Sequence, residues 1–400
     1  MFSYLLLGAG LFMGWSLGTN DAANAFGTAV ATRVVKYRTA IIIIAAMVLL
    51  GSILQGADDI GKLSSISTNN EVSASVEDLE ELGYIFEYTE AKDKEGNIIL
   101  DEEGKPVMVP ATDDKGNYVI TNRDAVEGIN KEGLNEIRTK SAIKAAIIFL
   151  AAAATVFVMS YLKFPVSANQ SVTGAIIGWG LFYADYSNPT VLSTNITEIL
   201  EFMSTWLINP LGAAIIAFVI VFLFKKFLEQ RVLSLKGYDK IVKIGYIIAG
   251  AYSAYTIGIN SSASVTAFYY DMFGVGANIL TSARFTAILG GVAIAVGVLT
   301  YSKKVMMTVG GSIANISQMD GFLVILASAL SITLMKELMG IPVSTSQAVV
   351  GAVIGAGLVG GVKNVNFGVF KRIAIAWVSS PTVAGLITYI VALCTQSYFG

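Results

Sequence analysis

The sequence predicts an all-α polytopic membrane protein: two inverted-topology repeats with broken helices, about 10–12 membrane segments, and a small acidic soluble insertion. Three observations predict it. Charged residues are scarce, long apolar runs recur along the chain, and two short motifs each occur twice.

Only 14% of the 400 residues are charged and 54% are hydrophobic, with a mean hydropathy of +0.65. A soluble chain carries about a quarter charged residues, so lipid has to cover much of this surface. The single cysteine, Cys394, excludes an intrachain disulfide and a thiolate metal cluster. No histidine is present, which removes the usual proton shuttle and the commonest metal ligand. Most metalloenzymes and many hydrolases are thereby excluded, no organic cofactor is expected, and neither is a nucleic-acid partner.

The first residues, Met1 to Leu7, lack the basic start of a cleaved signal. Residues 1–17 therefore read as the beginning of the first membrane helix. Apolar stretches follow at 1–32, 39–60, 140–160, 165–182, 204–224, 244–270, 283–301, 320–338, 341–360 and 372–395. About 20 residues of helix cross about 30 Å of hydrocarbon, so most of these suffice. Arg33, Lys36 and Arg38, then Lys225, Lys226, Arg231, Lys236, Lys240 and Lys243, then Lys303, Lys304, Lys363, Lys371 and Arg372 mark cytoplasmic connections. Ten spans thread between these anchors with both termini extracytoplasmic, in a multi-pass protein of the cell membrane.

Residues 65–139 interrupt the pattern with an acidic segment that includes Glu77, Asp78, Glu80, Glu81, Asp101, Glu102, Glu103, Asp113 and Asp114. Residues 94–109 alternate and turn like a hairpin. The segment reads as a solvated extracytoplasmic insertion, with a cation-gathering or partner-binding cap as the alternative. The chain then divides into 1–64 and 140–224 as the two parts of a first repeat, 225–243 as a basic loop, and 244–400 as the second repeat.

The repeat is visible in the motifs. Gly18-Thr19-Asn20-Asp21-Ala22-Ala23-Asn24 is echoed 240 residues on by Gly258-Ile259-Asn260-Ser261-Ser262-Ala263-Ser264. Pro165-Val166-Ser167-Ala168-Asn169-Gln170-Ser171 is echoed 177 residues on by Pro342-Val343-Ser344-Thr345-Ser346-Gln347-Ala348. The two offsets differ by about the length of the acidic segment, so that segment sits inside the first repeat. The threaded spans cross each motif and its echo in opposite directions. Inverted repeats of this kind build many secondary transporters, with the substrate near the midplane where the repeats meet.

Gly, Asn and Asp in an apolar run predict a broken helix at Gly18–Asp21. A carboxylate inside a span costs about 3 kcal/mol unless paired, so Asp21 is a candidate site for a hard monovalent cation such as Na⁺. Asn20 and Asn24 would add amide oxygens. The alternative is that Asp21 only caps the following helix. The Pro-Val-Ser blocks read as helix starts whose free N–H groups and positive dipole suit an oxyanion. Ser167, Gln170, Ser171, Ser344, Thr345, Ser346 and Gln347 would add uncharged donors, enough to hold phosphate without strong fixed charge. N-capping alone is the alternative. Gly174 and Gly178, with Gly351 and Gly355, have the spacing of close helix packing. Asp58 and Asp59 end the second span, at the interface or on the ion path.

At these residues the chain resembles the inorganic phosphate transporter family, which includes mammalian sodium–phosphate symporters and bacterial low-affinity phosphate carriers. The Gly-x-Asn-Asp-x-x-Asn-Ala block is matched by Gly18 to Ala25, and the Pro-Val-Ser-x-x-His/Gln block at Pro165 and Pro342. Lys304-Val305-Met306-Met307-Thr308-Val309-Gly310 resembles a further family segment. The resemblance implies symport of inorganic phosphate and site roles for Asn20, Asp21, Asn24, Ser167, Gln170, Ser344, Thr345 and Gln347. In the second half the family's Asn-Asp pair is replaced by Asn260-Ser261, so the second cation set, Asn260, Ser261 and Ser264, lacks a carboxylate. Gln170 and Gln347 stand where many members have His, which favours sodium over protons as the coupling ion. A proton-coupled phosphate permease or a sulfate permease on the same scaffold is the nearest rival, and a membrane-embedded phosphoesterase a distant one. Association with further copies of the chain is left open.

Overall fold

A computed structural model of the chain describes residues 2–57, 88–90, 108–110, 131–183, 189–227, 235–266, 279–314, 316–339 and 343–399. Each of the ten apolar stretches holds a helix. They are α1 (Phe2–Ala31), α2 (Tyr37–Gln55), α3 (Lys131–Tyr161), α4 (Ala168–Tyr183), α5 (Pro189–Phe227), α6 (Leu235–Thr266), α7 (Ile279–Tyr301), α9 (Gln318–Met339), α10 (Thr345–Val359) and α11 (Phe367–Phe399). A short helix that the apolar pattern did not announce, α8 (Lys303–Ser312), follows α7 directly. Among the described residues seven helices are long and apolar enough to cross a membrane, and α10 is an apolar helix of 15 residues. Ile42, Leu207, Ile215, Ile248 and Val378 lie exposed on the outside of the bundle, where lipid rather than water suits them.

The chain forms two compact units, residues 1–64 with 144–400 and residues 65–143. In the second, β1 (Tyr88–Glu90) pairs antiparallel with β2 (Met108–Pro110), Thr89 opposite Val109. The expected hairpin over 94–109 lies mostly outside the described residues, and its one described part pairs with 88–90 instead.

The expected break at Gly18–Asp21 does not occur. α1 runs as one helix of 30 residues, and Asn260 likewise lies inside continuous α6. Gly18 serves packing, since a methyl there would run into the Ile294 carbonyl of α7. Instead α3 ends at Tyr161 before α4 starts at Ala168, and α9 ends at Met339 before α10 starts at Thr345. α1 and α3 end alike, with Arg33 (φ 62°) and Lys163 (φ 67°) in the left-handed region. Val34 N–H donates to the Ala29 carbonyl (3.0 Å) and Phe164 N–H to that of Met159 (2.9 Å), which satisfies carbonyls the helix ends would leave orphaned.

Close approaches come in matched pairs. Gly18 meets the α7 backbone at Ile294 and Gly258 meets α2 at Val48, while Gly51 meets α6 at Tyr255 and Gly297 meets α1 at Trp15. Gly174 and Gly178 of α4 lie against Pro381 and Gly385 of α11, as Gly351 and Gly355 of α10 lie against Pro210 and Ala214 of α5. The GxxxG spacing thus does what it implies: it brings backbones together where lipid supplies no hydrophobic drive. α1 and α6, which carry the echoing motifs, run antiparallel, with Gly14 facing Val265 and Phe26 facing Gly250.

Contacts also gather the basic residues at one end. Tyr37 lies 3.2 Å from Ser302 and under the Lys303 ammonium, and Lys225 of α5 pairs with Asp320 of α9 at 3.0 Å. Tyr246 of α6 faces Thr28 of α1, and Ala314 pairs with Val365.

Candidate functional site

The centre of the bundle is polar although its walls are apolar. Asn20, Asp21 and Asn24 on α1, Asn260 and Ser261 on α6, Ser167, Gln170 and Ser171 at the head of α4, and Ser344, Thr345, Ser346 and Gln347 at the head of α10 are all buried. Ser264 is on α6, with its side chain outside the described residues; Asp58 and Asp59 are outside them altogether.

Both half-length helices begin as their sequences require. Ser344 is extended (φ −77°, ψ 113°), and its side chain accepts the Gln347 N–H at 3.2 Å. Ser167 Oγ accepts the Gln170 N–H at 3.3 Å in the same way, and Ser171 Oγ donates to the Ser167 carbonyl. Each cap satisfies one orphan donor of the first turn.

The two heads meet. Ser346 Oγ donates to the Val166 carbonyl at 2.9 Å, and Asn169 Nδ2 to that of Val343 at 3.3 Å. Asp21 closes the cluster, 3% exposed. Its Oδ2 accepts from Thr345 Oγ1 at 2.8 Å, and its Oδ1 from Asn24 Nδ2 at 3.1 Å and Ser346 Oγ at 3.4 Å. Asn24 Nδ2 also lies 3.2 Å from Thr345 Oγ1 and 3.1 Å from Ser346 Oγ. The residues expected to hold a cation and part of those expected to hold an anion are therefore one hydrogen-bonded group. Asp21 caps no helix start, because it sits in mid-helix and its partners come from α10 and from Asn24.

Asn20 Nδ2 donates to Ser160 Oγ (2.8 Å) and to the Phe164 carbonyl (3.3 Å) at the end of α3. Its counterpart Asn260 closes on one residue: Nδ2 donates to the Val343 carbonyl at 2.8 Å and Oδ1 accepts the Val343 N–H at 3.0 Å. Three buried side-chain oxygens, Asn20 Oδ1, Gln170 Oε1 and Gln347 Oε1, accept no hydrogen bond among the described residues. Unpaired buried acceptors each cost about 1–3 kcal/mol, and a bound partner with O–H groups or positive charge would satisfy them. Asn209 on α5 escaped the motif search. Its Nδ2 donates to the Ser344 carbonyl at 2.7 Å and anchors the head of α10. The only sequence signal was an Asn-Pro step, Asn209-Pro210, within an apolar run.

A bundle of apolar helices, with two half-length helices ending head to head at a buried carboxylate, is the construction of a multi-pass membrane transporter. A profile of the phosphate transporter family matches residues 17–79 and 120–388. The chain belongs to the phosphate transporter family. A candidate phosphate permease of Pyrococcus furiosus is 27% identical over 408 residues, covering 96% of this chain and 93% of its own. The sulfate permease of Bacillus subtilis is 28% identical over 245 residues, 61% of this chain and 64% of its own. A solved structure, described as the sodium-dependent phosphate transporter, superposes with a TM-score of 0.65 at 20% identity, covering 98% of this chain and 99% of its own. It shares the fold.

Proposed function

We propose that this chain carries inorganic phosphate across the cell membrane by sodium-coupled symport, through alternating access about two inverted repeats. The observation that carries the reading is Asp21, a buried carboxylate held by Thr345, Ser346 and Asn24 where the two half-length helices meet. Each hydroxyl has one O–H to give, so an anion would take the Thr345 and Ser346 donors over from Asp21 and stand about 5 Å from that carboxylate. At an effective dielectric of about 20, each pair of like charges there costs about 3 kcal/mol. A monovalent cation between them reverses the sign of the interaction. Anion and cation then bind together or hardly at all, which is the thermodynamic content of symport.

In this account Asn20, Asp21 and Asn24, with Asn260, Ser261 and Ser264 across the centre, supply oxygens to sodium. Ser167, Gln170, Ser171, Ser344, Thr345, Ser346 and Gln347 supply the oxyanion contacts, helped by the N-terminal dipoles of α4 and α10. The matched glycine seams and the antiparallel course of α1 and α6 support the inverted repeats. The positive-inside rule puts the basic end in the cytoplasm and both termini outside.

The similarity to a sulfate permease favours a second reading, sulfate as substrate. The Gln170 and Gln347 Oε1 atoms argue for phosphate, because a phosphate O–H can donate to them and sulfate has none to give. The test is uptake of radiolabelled phosphate into proteoliposomes under an inward sodium gradient, under potassium, and under a proton gradient alone. Sodium-driven uptake that arsenate competes and sulfate does not is the expected result. Uptake under the proton gradient alone would replace the ion, and uptake of sulfate in place of phosphate would replace the substrate.

A further inference from the structure

The two half-length helices are seated alike and tied down differently. Gly351 of α10 meets α5 at Pro210 and Gly174 of α4 meets α11 at Pro381, each proline standing inside its helix. The residues just before the prolines, Asn209 and Ser380, therefore hold matching places beside the heads of α10 and α4, and both are buried. Asn209 Nδ2 donates to the Ser344 carbonyl at 2.7 Å. Ser380 Oγ has no partner among the described residues, and a serine hydroxyl ends one bond short of an asparagine amide nitrogen. The Ser167 carbonyl, the counterpart of that of Ser344, is served from within α4. It accepts Ser171 Oγ at 3.3 Å, where α10 has Ala348 and no hydroxyl.

The neighbouring peptide repeats the difference. Asn260 of α6 holds both the N–H and the carbonyl of Val343, at 3.0 and 2.8 Å. Its counterpart Asn20 reaches Phe164, two residues short of Val166, at 3.3 Å. The Val166 carbonyl takes its bond from Ser346 of α10 (2.9 Å), and Asn169 of α4 gives one to Val343 (3.3 Å). Among the described residues, then, α5 and α6 hold the head of α10, whereas the head of α4 leans on α10, with Asn20 at Phe164 as its tie to α1. When the two heads part, α10 keeps its anchors and α4 loses its own.

We propose that Asn209 is a positioning residue for transport. It fixes the head of α10, with Ser344, Thr345 and Gln347, as the preformed half of the oxyanion site. The head of α4, with Ser167, Gln170 and Ser171, is the half that moves to close over the anion and to release it. The proposal rests on the reading of both heads as the oxyanion site. A preformed half spares the anion the ordering of that half on binding, and a half held by few ties can open and close as a gate.

The test is hydrogen–deuterium exchange of the full-length protein in detergent without phosphate, joined to uptake by the same preparations in proteoliposomes. Residues 167–175 should exchange about tenfold faster than 344–352. Asn209→Ser should remove most of that difference and raise the phosphate KM about fivefold, with a smaller effect on kcat, as loss of one hydrogen bond that supports binding does. Adding Ala348→Ser to Asn209→Ser copies the arrangement of the first half and gives the Ser344 carbonyl a hydroxyl from its own helix. Thermal stability should then recover while exchange and KM do not, because the tie to α5 is still missing. Ser380→Asn should slow exchange of 167–175 about fivefold and lower kcat more than it alters KM. Should Ser380→Asn fail to fold, the Asn209 variants decide alone. Equal exchange of the two heads in wild type, an unchanged KM in Asn209→Ser, or full recovery of KM in the double variant would each overturn the proposal. Exchange is read without substrate, so the two claims separate. Unequal heads that respond to Asn209→Ser, in protein without phosphate uptake, keep the anchor and remove the proposed function. Equal heads in protein with sodium-driven phosphate uptake remove the anchor and leave the proposed function standing.

Discussion

The two halves carry matched glycine seams and differ in chemistry. Gly174 and Gly178 fit α4 onto α11 as Gly351 and Gly355 fit α10 onto α5, and both half-length helices start at a capping serine. The echoing motifs nevertheless end differently. Asp21 gathers three donors from α1 and α10, whereas Ser261 stands in its place in the second half and Asn260 folds onto the backbone of Val343. Packing is set by backbone approach, which tolerates no added atom, so it repeats. Charge in a membrane interior is expensive and is kept only where something uses it. On the proposed reading, the asymmetry puts the charge that holds the cation in the first half, with Thr345 and Ser346 of the second half as its partners.

The largest effect is expected at that difference. Asp21→Asn should reduce sodium-driven uptake by about 100-fold or more, matching loss of about 3 kcal/mol of cation attraction, while membrane insertion and thermal unfolding stay near wild type. Uptake at wild-type level would end the assignment of the cation to Asp21. Next come the seams. Gly174→Val and Gly351→Val should each destabilise by about 2–3 kcal/mol, as overpacked interfaces do, and by similar amounts if the scaffold is symmetric. A large effect at one seam with none at the other, measured by thermal unfolding in detergent, would break the symmetry. Gln347→Leu should then raise the inhibition of phosphate uptake by sulfate by about tenfold, because it removes an acceptor that only phosphate can use. The smallest effect is expected from Ser261→Asp, which restores a carboxylate to the second half. The sodium dependence should steepen and shift to lower concentration by less than tenfold, read from initial uptake rates.

Legibility in the sequence followed the same division. The long helices were readable because a membrane span needs about 20 apolar residues and little else. The glycine seams were readable as packing because GxxxG has few other uses in lipid. Ser167 and Ser344 were readable as helix starts, since Pro-Val-Ser leaves little choice. The expected break at Gly18–Asp21 failed for a physical reason: propensity counts Gly, Asn and Asp against a helix, but α10 and α3 supply partners for Asp21, Asn24 and Asn20, and α7 needs the space at Gly18. Tertiary partners thus outweighed local preference. That Thr345 and Ser346 would turn to Asp21 could not be read from spacing, because these residues lie more than 320 positions apart. The anchoring of Ser344 by Asn209, and the pairing of Lys225 with Asp320, were hidden for the same reason.

The central claim is that the buried Asp21 carboxylate makes anion binding conditional on a cation. The most direct measurement is the affinity of purified protein for phosphate in sodium chloride and in choline chloride, for wild type and Asp21→Asn. Wild type should bind phosphate about 100-fold more tightly in sodium, and Asp21→Asn should bind it with nearly equal affinity in both salts. Equal affinity in the two salts for wild type would contradict the account.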